Sequence, residues 1–222
     1  MYSERDEKDT QQRYSQRFHQ HGYSPKALGW DKGKQDVRFD VLTSQYDFTG
    51  KSVLDIGCGF GDLNTTLTAR YGTSYTYHGI DLVPELVTEG QARFTAPHIS
   101  FAVGNFLNSD DQTQYDYIVS SGIFNHKLQD LDGYVFIEAC MRRAFAMAKD
   151  GIAFDFLSNK VDYELPHTFH SAPERILSLA YTMTRNVVLR NDYMPFEFAV
   201  FLWKDDSFSR EDTLFQRYKS AH

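Results

Sequence analysis

One stretch restricts this chain more than any other: Val53-Leu54-Asp55-Ile56-Gly57-Cys58-Gly59-Phe60-Gly61-Asp62-Leu63. An apolar run of strand length ends at an acid and passes into three glycines at alternating positions. Glycine supplies left-handed backbone and a close approach that a Cβ forbids. A strand that enters such a turn and then a helix is how open α/β sheets build a nucleotide-shaped crevice. Asp81 follows Gly59 by 22 residues, at the end of a second apolar run, His78-Gly79-Ile80-Asp81-Leu82. An acid there can accept both hydroxyls of a ribose, and the pairing is much more specific than a glycine cluster alone.

Two ligand classes use this geometry. A dinucleotide pyrophosphate wants G-x-G-x-x-G/A with an uncharged turn and helix start. Counted from Gly57, the third glycine position falls on Asp62, whose charge would repel a pyrophosphate, and Asp55 adds a further acid. An acid-rich turn suits a ligand with a cationic end. S-adenosylmethionine has a ribose, no phosphate, an ammonium and a sulfonium. Here the chain resembles the class I S-adenosylmethionine-dependent methyltransferases. Asp55-x-Gly57-x-Gly59-x-Gly61 stands for their first motif and Asp81 for their ribose-binding acid. The resemblance covers residues 51–204 and implies S-adenosyl-L-methionine as cofactor.

Composition bounds the remainder. A chain of 222 residues, 41% hydrophobic and 24% charged, is long enough for one domain with a sizeable core. No run approaches the ~20 apolar residues of a membrane helix, and the polar start lacks the apolar core of a signal peptide. Two cysteines, Cys58 and Cys140, make no disulfide framework. The expected compartment is therefore cytoplasmic. A net charge of −7 offers no global attraction for nucleic acid. The first fifty residues carry eight basic and eight acidic side chains, so the acidic excess lies beyond them.

Pattern along the chain predicts alternating strands and helices. Helices are expected over 4–20 and 33–47, the second with Val37, Val41 and Leu42 on one face. Strand 51–56 precedes helix 61–71, and strand 75–81 precedes a helix opening at Pro84. Short strands at 99–104 and 115–121 follow, then a long helix 130–149 with Gly151 as its left-handed cap. Strand 151–157, helix 173–183 and two closing strands, 187–190 and 197–203, complete the pattern. The last pair is joined too tightly for a crossover and must be antiparallel. The expected fold is thus α/β, a seven-stranded, mainly parallel sheet flanked by helices, with an antiparallel C-terminal hairpin. Residues 1–50 read as an N-terminal helical cap or lid, 51–204 as the cofactor-binding domain, and 205–222 as a polar tail, a frayed helix or disordered.

Ligands of such sheets sit beyond the carboxyl ends of the strands. The resemblance implies Asn105 at the place of an adenine-binding Asp, with Phe106 and Leu82 against the adenine faces. Asn105 as a turn former and Phe106 as core is the plainer reading. Ser120 and Ser121, ending strand four, are implied at the methionine end of the cofactor, and Asn125 and His126 at the acceptor. His126 is the candidate general base, since an unperturbed imidazole titrates near pH 6.5; a surface histidine in a polar loop is the plainer reading. Tyr14, Tyr23, Trp30 and Arg38 are expected near the cofactor carboxylate or acceptor, or packed on the sheet edge. The loop holding His167 and His170 is a candidate for the opposite wall, and Asp155, at the end of strand five, faces either the pocket or the neighbouring helix. His167-x-x-His170 invites a metal, but the clustered carboxylates of metal-dependent members are missing, so no metal is expected.

Methyl transfer from a sulfonium needs mainly alignment and exclusion of water, so a nucleophilic triad is neither required nor seen. The chain lacks the Asn/Asp-Pro-Pro-aromatic and Pro-Cys motifs of DNA methyltransferases. The expectation is a methyltransferase acting on oxygen or nitrogen of a small polar molecule: a sugar, a natural-product intermediate or an amino-acid derivative. RNA or protein methylation is one alternative, and a non-catalytic cofactor-binding or interaction protein another. Nothing in the sequence fixes the oligomeric state.

Overall fold

The structure is a computed structural model and describes residues 3–30, 34–208 and 213–220. Its strands are β1 Lys51–Ile56, β2 Tyr75–Asp81, β3 Ile99–Val103, β4 Tyr115–Ser120, β5 Ala148–Leu157, β6 Val187–Arg190 and β7 Glu197–Trp203. They form one sheet in the order β3-β2-β1-β4-β5-β7-β6. Neighbours among β1 to β5 run parallel, and β7 lies antiparallel between β5 and β6. The helices are α1 Glu4–His21, α2 Gln35–Leu42, α3 Leu63–Tyr71, α4 Pro84–Arg93, α5 Gly133–Met147, α6 Pro173–Tyr181 and α7 Leu214–Ser220. This is the expected fold class. Strand order reverses between β1 and β4, so a crevice opens beyond their carboxyl ends.

Both faces of the sheet are covered, which explains why its strands read as nearly continuous apolar runs. Alternate residues face opposite ways. Leu54 and Ile56 join Ile118, Phe154 and Phe156 against Ile137, Met141 and Ala144 of α5 and Ile176 of α6. Val53 joins Tyr77, Tyr117 and Phe201 against Phe39 and Leu42 of α2 and Leu63 and Leu67 of α3. Buried Tyr46 stacks on Tyr117 with ring centroids 4.4 Å apart and donates its hydroxyl to the Ile152 carbonyl at 2.6 Å.

Several boundaries move from the sequence-based expectation. α2 ends at Leu42, five residues early, because the Thr43 and Ser44 hydroxyls bond back to the Phe39 and Val41 carbonyls. Its buried residues are Arg38, Phe39, Val41 and Leu42, so Val37 is displaced from the inner face by an arginine. The start expected at Gly33 lies outside the described residues. α5 begins at Gly133, where the Asp132 carboxylate accepts the Tyr134 and Val135 N–H groups. It ends at Met147 and the chain passes directly into β5. Gly151 is therefore a strand residue and not a helix cap. A Cβ there would lie 2.6 Å from the Leu202 carbonyl oxygen and 2.9 Å from the Tyr46 hydroxyl, so the residue is small to admit its neighbours. In the tail, 214–220 is helical, while 209–212, 221 and 222 lie outside the described residues.

α1 lies across the carboxyl end of the sheet. Asp6 is buried, and its carboxylate accepts the Gln129 N–H at 2.5 Å and that of Asp130 at 3.3 Å. Farther along, Gln11 donates to the Leu82 carbonyl at 3.0 Å and Ser15 to Glu85 at 2.5 Å. Tyr14 and Phe18, four apart on the helix, pack on Phe60, Val83 and Leu86.

Candidate active site

The floor of the crevice is the turn leaving β1. Gly57, Gly59 and Gly61 have φ of +68°, +55° and +76°. The N–H groups of Gly57 and Cys58 both donate to the Ile80 carbonyl, at 2.8 and 3.2 Å, tying the turn to β2. A Cβ on Gly57 would overlap the Ile123 side chain, and one on Gly59 would lie 3.1 Å from Leu28. Gly57 and Gly59 line the cavity. Gly61 does not: its missing side chain makes room for Phe101 under the turn.

Carboxylates surround this floor. Asp81 accepts the Gly59 N–H at 2.8 Å and the Val83 N–H at 2.9 Å. Burial raises its pKa, and those backbone bonds oppose the rise. Asp55 is 5% exposed and accepts the Tyr77 hydroxyl at 2.8 Å. Burial pushes its carboxyl up to about 7, the Tyr77 bond opposes this, and the charges of Asp81, Asp155 and Asp62 add to it. Both line the cavity. A cation placed there relieves mutual repulsion that an incoming phosphate would worsen. The cradle thus fits S-adenosylmethionine by charge and by the space its glycines leave. Asp62 acts on the cradle only through its charge on Asp55 and does not line the cavity. It accepts the Tyr23 hydroxyl at 2.7 Å on the outer side of the turn, away from the cavity wall.

The remaining candidates divide between wall and scaffold. Leu82, Phe106 and Asn105 line the cavity. Asn105 is also the turn former: its side-chain oxygen accepts the Leu107 N–H at 3.0 Å, while its amide donates to Glu7 of α1 at 2.6 Å. Ser121 lines the cavity and donates to Asp155 at 2.5 Å; the Gly122 N–H donates to the same carboxylate at 2.7 Å. Ser120 is turned away: it is 1% exposed and donates to the Ile56 carbonyl at 2.6 Å, bracing β4 against β1. Asp155 is buried behind the Ser121 wall. Burial pushes its carboxyl up to about 6, with Arg38 opposing and Glu197 adding to the rise.

Tyr14, Trp30 and His126 face the cavity. The His126 ring stands edge-on to Tyr14 at 6.1 Å and stacks on His167 at 5.8 Å. Its Nδ1 is buried with no hydrogen-bond partner. Burial lowers its pKa to about 4, and the charges of Arg13, His167 and Arg17 push the same way. The imidazole is therefore neutral at pH 7. Asn125, the preceding residue, lies behind the wall with its side-chain oxygen buried and unbonded.

Three expected site residues belong to the scaffold. Tyr23 packs outside, against Phe60 and under the Arg93 guanidinium. Arg38 is buried and pairs with Glu197, its Nε donating at 2.6 Å, with a second contact from Nη2. Its guanidinium also covers the Trp30 ring at 3.3 Å, so it supports the cavity wall from behind. His170 is held between the Ser158 carbonyl at 2.7 Å and Thr168 at 3.0 Å. Arg13, which sequence reasoning missed, lines the cavity with Thr10 and Tyr14. The signal was present: positions 10, 13 and 14 share one helix face. Glu197 gave none, since its partner Arg38 is 159 residues away.

Comparison with known proteins agrees with this geometry. A family model described as a methyltransferase domain matches residues 53–151. A Mycobacterium tuberculosis protein, Rv1506c, named as a methyltransferase, is 31% identical over 159 residues, covering 69% of this chain and 93% of its own length. A Drosophila melanogaster U6 snRNA methylphosphate capping enzyme is 29% identical over 119 residues, covering 46% of this chain and 39% of its own. Among solved structures, an O-methyltransferase family protein from Burkholderia thailandensis superposes with a TM-score of 0.67 at 13% identity, over 87% of this chain and 63% of that one. With its glycine cradle, its strand order and these relatives, the chain belongs to the class I S-adenosylmethionine-dependent methyltransferases, an enzyme whose cofactor is S-adenosylmethionine.

Proposed function

We propose that the enzyme transfers the methyl group to an oxygen or nitrogen of a small polar molecule. The observation that carries this reading is the roof. Thr10, Arg13 and Tyr14 of α1, Leu28 and Trp30 of the following segment, and Gln35 and Phe39 of α2 close over the strand ends. An acceptor must fit beneath them. The acidic net charge of −7 also weighs against a polyanionic acceptor. Residues 1–50 are then a lid on the 51–204 cofactor domain, and 205–222 a tail.

In this reading Asp81 takes the ribose hydroxyls, Leu82, Asn105 and Phe106 frame the adenine, and Gly57, Gly59 and Ser121 face the methionine end. Asp55 supplies negative charge to the cationic end. The cofactor brings an activated methyl group on a sulfonium. The protein aligns the acceptor with it and keeps water out, which supplies on the order of 7–11 kcal/mol. Where the acceptor must lose a proton, the neutral imidazole of His126, which lines the cavity, receives it. Its low proton affinity makes it a weak base that is always ready.

Labelled S-adenosylmethionine offered with sugars, phenols, amino-acid derivatives, total RNA and protein extract tests the proposal. Label should pass to a small acceptor. Transfer only to RNA or protein, or tight binding of S-adenosylhomocysteine without any transfer, would overturn it.

A further inference from the structure

The cavity has two electrical ends. Asp55 and Asp81 make its floor acidic, and the roof is basic. Arg13 lines that roof half-buried, and among the described residues no carboxylate or hydrogen-bond acceptor holds its guanidinium. The cavity's other arginine neighbour, Arg38, is buried and paired with Glu197 against the Trp30 ring, although its Nη1 has no hydrogen-bond partner. Arg13 lies within electrostatic reach of Tyr14 and His126. His126 in turn stacks on His167, from the loop after β5, to which it is also joined by a bridge to Thr168. A guanidinium, an unbonded imidazole nitrogen and aromatic walls therefore meet at one place. That place is bordered by the loops after β4 and β5, and Tyr14 also packs on Phe60 of the glycine turn.

An unpaired arginine in a partly desolvated wall is costly unless a ligand completes it. Its fork of N–H donors matches a carboxylate in geometry and charge. A single guanidinium balances one negative charge, and the acidic floor opposes a second, which argues for a carboxylate over a phosphate. Tyr14 stands beside His126 there, and Trp30, Phe39 and Phe136 line the same cavity with flat apolar faces.

We propose that Arg13 docks a carboxylate on the acceptor, so that the substrates are small, flat carboxylic acids held with the methylated atom toward the glycine turn. This rests on the small-molecule reading above and specifies it.

The test uses the full chain saturated with S-adenosylhomocysteine, with benzoate as a carboxylate probe and benzamide as its neutral match, followed by calorimetry. Benzoate should bind about tenfold more tightly than benzamide, as expected for a hydrogen bond to a charged group. Arg13→Gln should erase that preference and leave S-adenosylhomocysteine affinity within about threefold. Arg13→Lys, which keeps the charge and loses the fork, should keep part of the preference. Equal binding of the two probes, or a preference that survives in Arg13→Gln, would overturn the proposal. A tenfold loss of S-adenosylhomocysteine affinity in Arg13→Gln would assign the arginine to the cofactor carboxylate and overturn it as well. The small-molecule reading fails separately, if label passes only to macromolecules.

Discussion

At the scale of single residues, the cofactor cradle depends on side chains that are not there. Gly57 combines φ of +68° with a site where any Cβ overlaps Ile123, so substitution strains the backbone and fills the space together. Gly57→Ala should weaken S-adenosylhomocysteine binding by about tenfold or more, for ~1–3 kcal/mol of strain, while circular dichroism stays native. Undiminished affinity in calorimetry would remove the turn from the site. These glycines were legible because their function is backbone conformation, which sequence spacing reports. Ser120 and Ser121 were not separable by sequence. They are adjacent and chemically alike, and the strand's alternation sends one to the Ile56 carbonyl and the other to the cavity.

Among the elements, α1 is held by exchangeable bonds more than by burial. It rests on Tyr14 and Phe18, and its start hangs on the Asp6 carboxylate against two backbone N–H groups of the loop after β4. Few apolar side chains anchor the helix, so these buried Asp6 bonds set how readily it opens as a unit. Asp6→Ala should therefore raise the dissociation rate of S-adenosylhomocysteine several-fold, read by stopped-flow fluorescence of Trp30 in the wall. An unchanged rate would show that exchange does not pass beneath α1. The strands among the described residues were readable from their apolar runs, and α1 from the four-residue spacing of Tyr14 and Phe18 in a polar segment. The end of α2 and the junction of α5 with β5 were not, because hydroxyl-to-carbonyl bonds and the close approach of Leu202 to Gly151 decide them. The roof over the site was only half readable. Sequence puts Arg38 and Trp30 near the cofactor carboxylate or acceptor, or on the sheet edge, but the distant Glu197 turns Arg38 into a wall support.

For the whole molecule, the site trades stability for charge. Asp55 is pushed up to about 7 against an unfolded value near ~3.9. In that interval the folded state binds a proton that the unfolded chain has released, so the stability Asp55 contributes is complete below pH ~4 and lost as pH rises through about 7. Asp155, pushed up to about 6, acts in the same direction. His126, lowered to about 4, acts oppositely, since the unfolded chain takes up its proton first as pH falls below ~6.5. Outer carboxylates such as Asp116 and Asp111, with lowered pKa values, also favour higher pH. A single substitution isolates one contribution from this mixture. Asp55→Asn keeps an acceptor for the Tyr77 hydroxyl and removes a buried charge facing Asp81, Asp155 and Asp62. The unliganded variant should melt higher than the parent at pH 8, by about 2–4 °C for each kcal/mol recovered, and the gain should vanish toward pH 4. The same variant should lose affinity for S-adenosylmethionine more than for S-adenosylhomocysteine, because the two differ in the positive charge on sulfur. A lower melting temperature at pH 8, or equal losses for both ligands, would show that Asp55 braces the turn and contributes no charge to the cofactor.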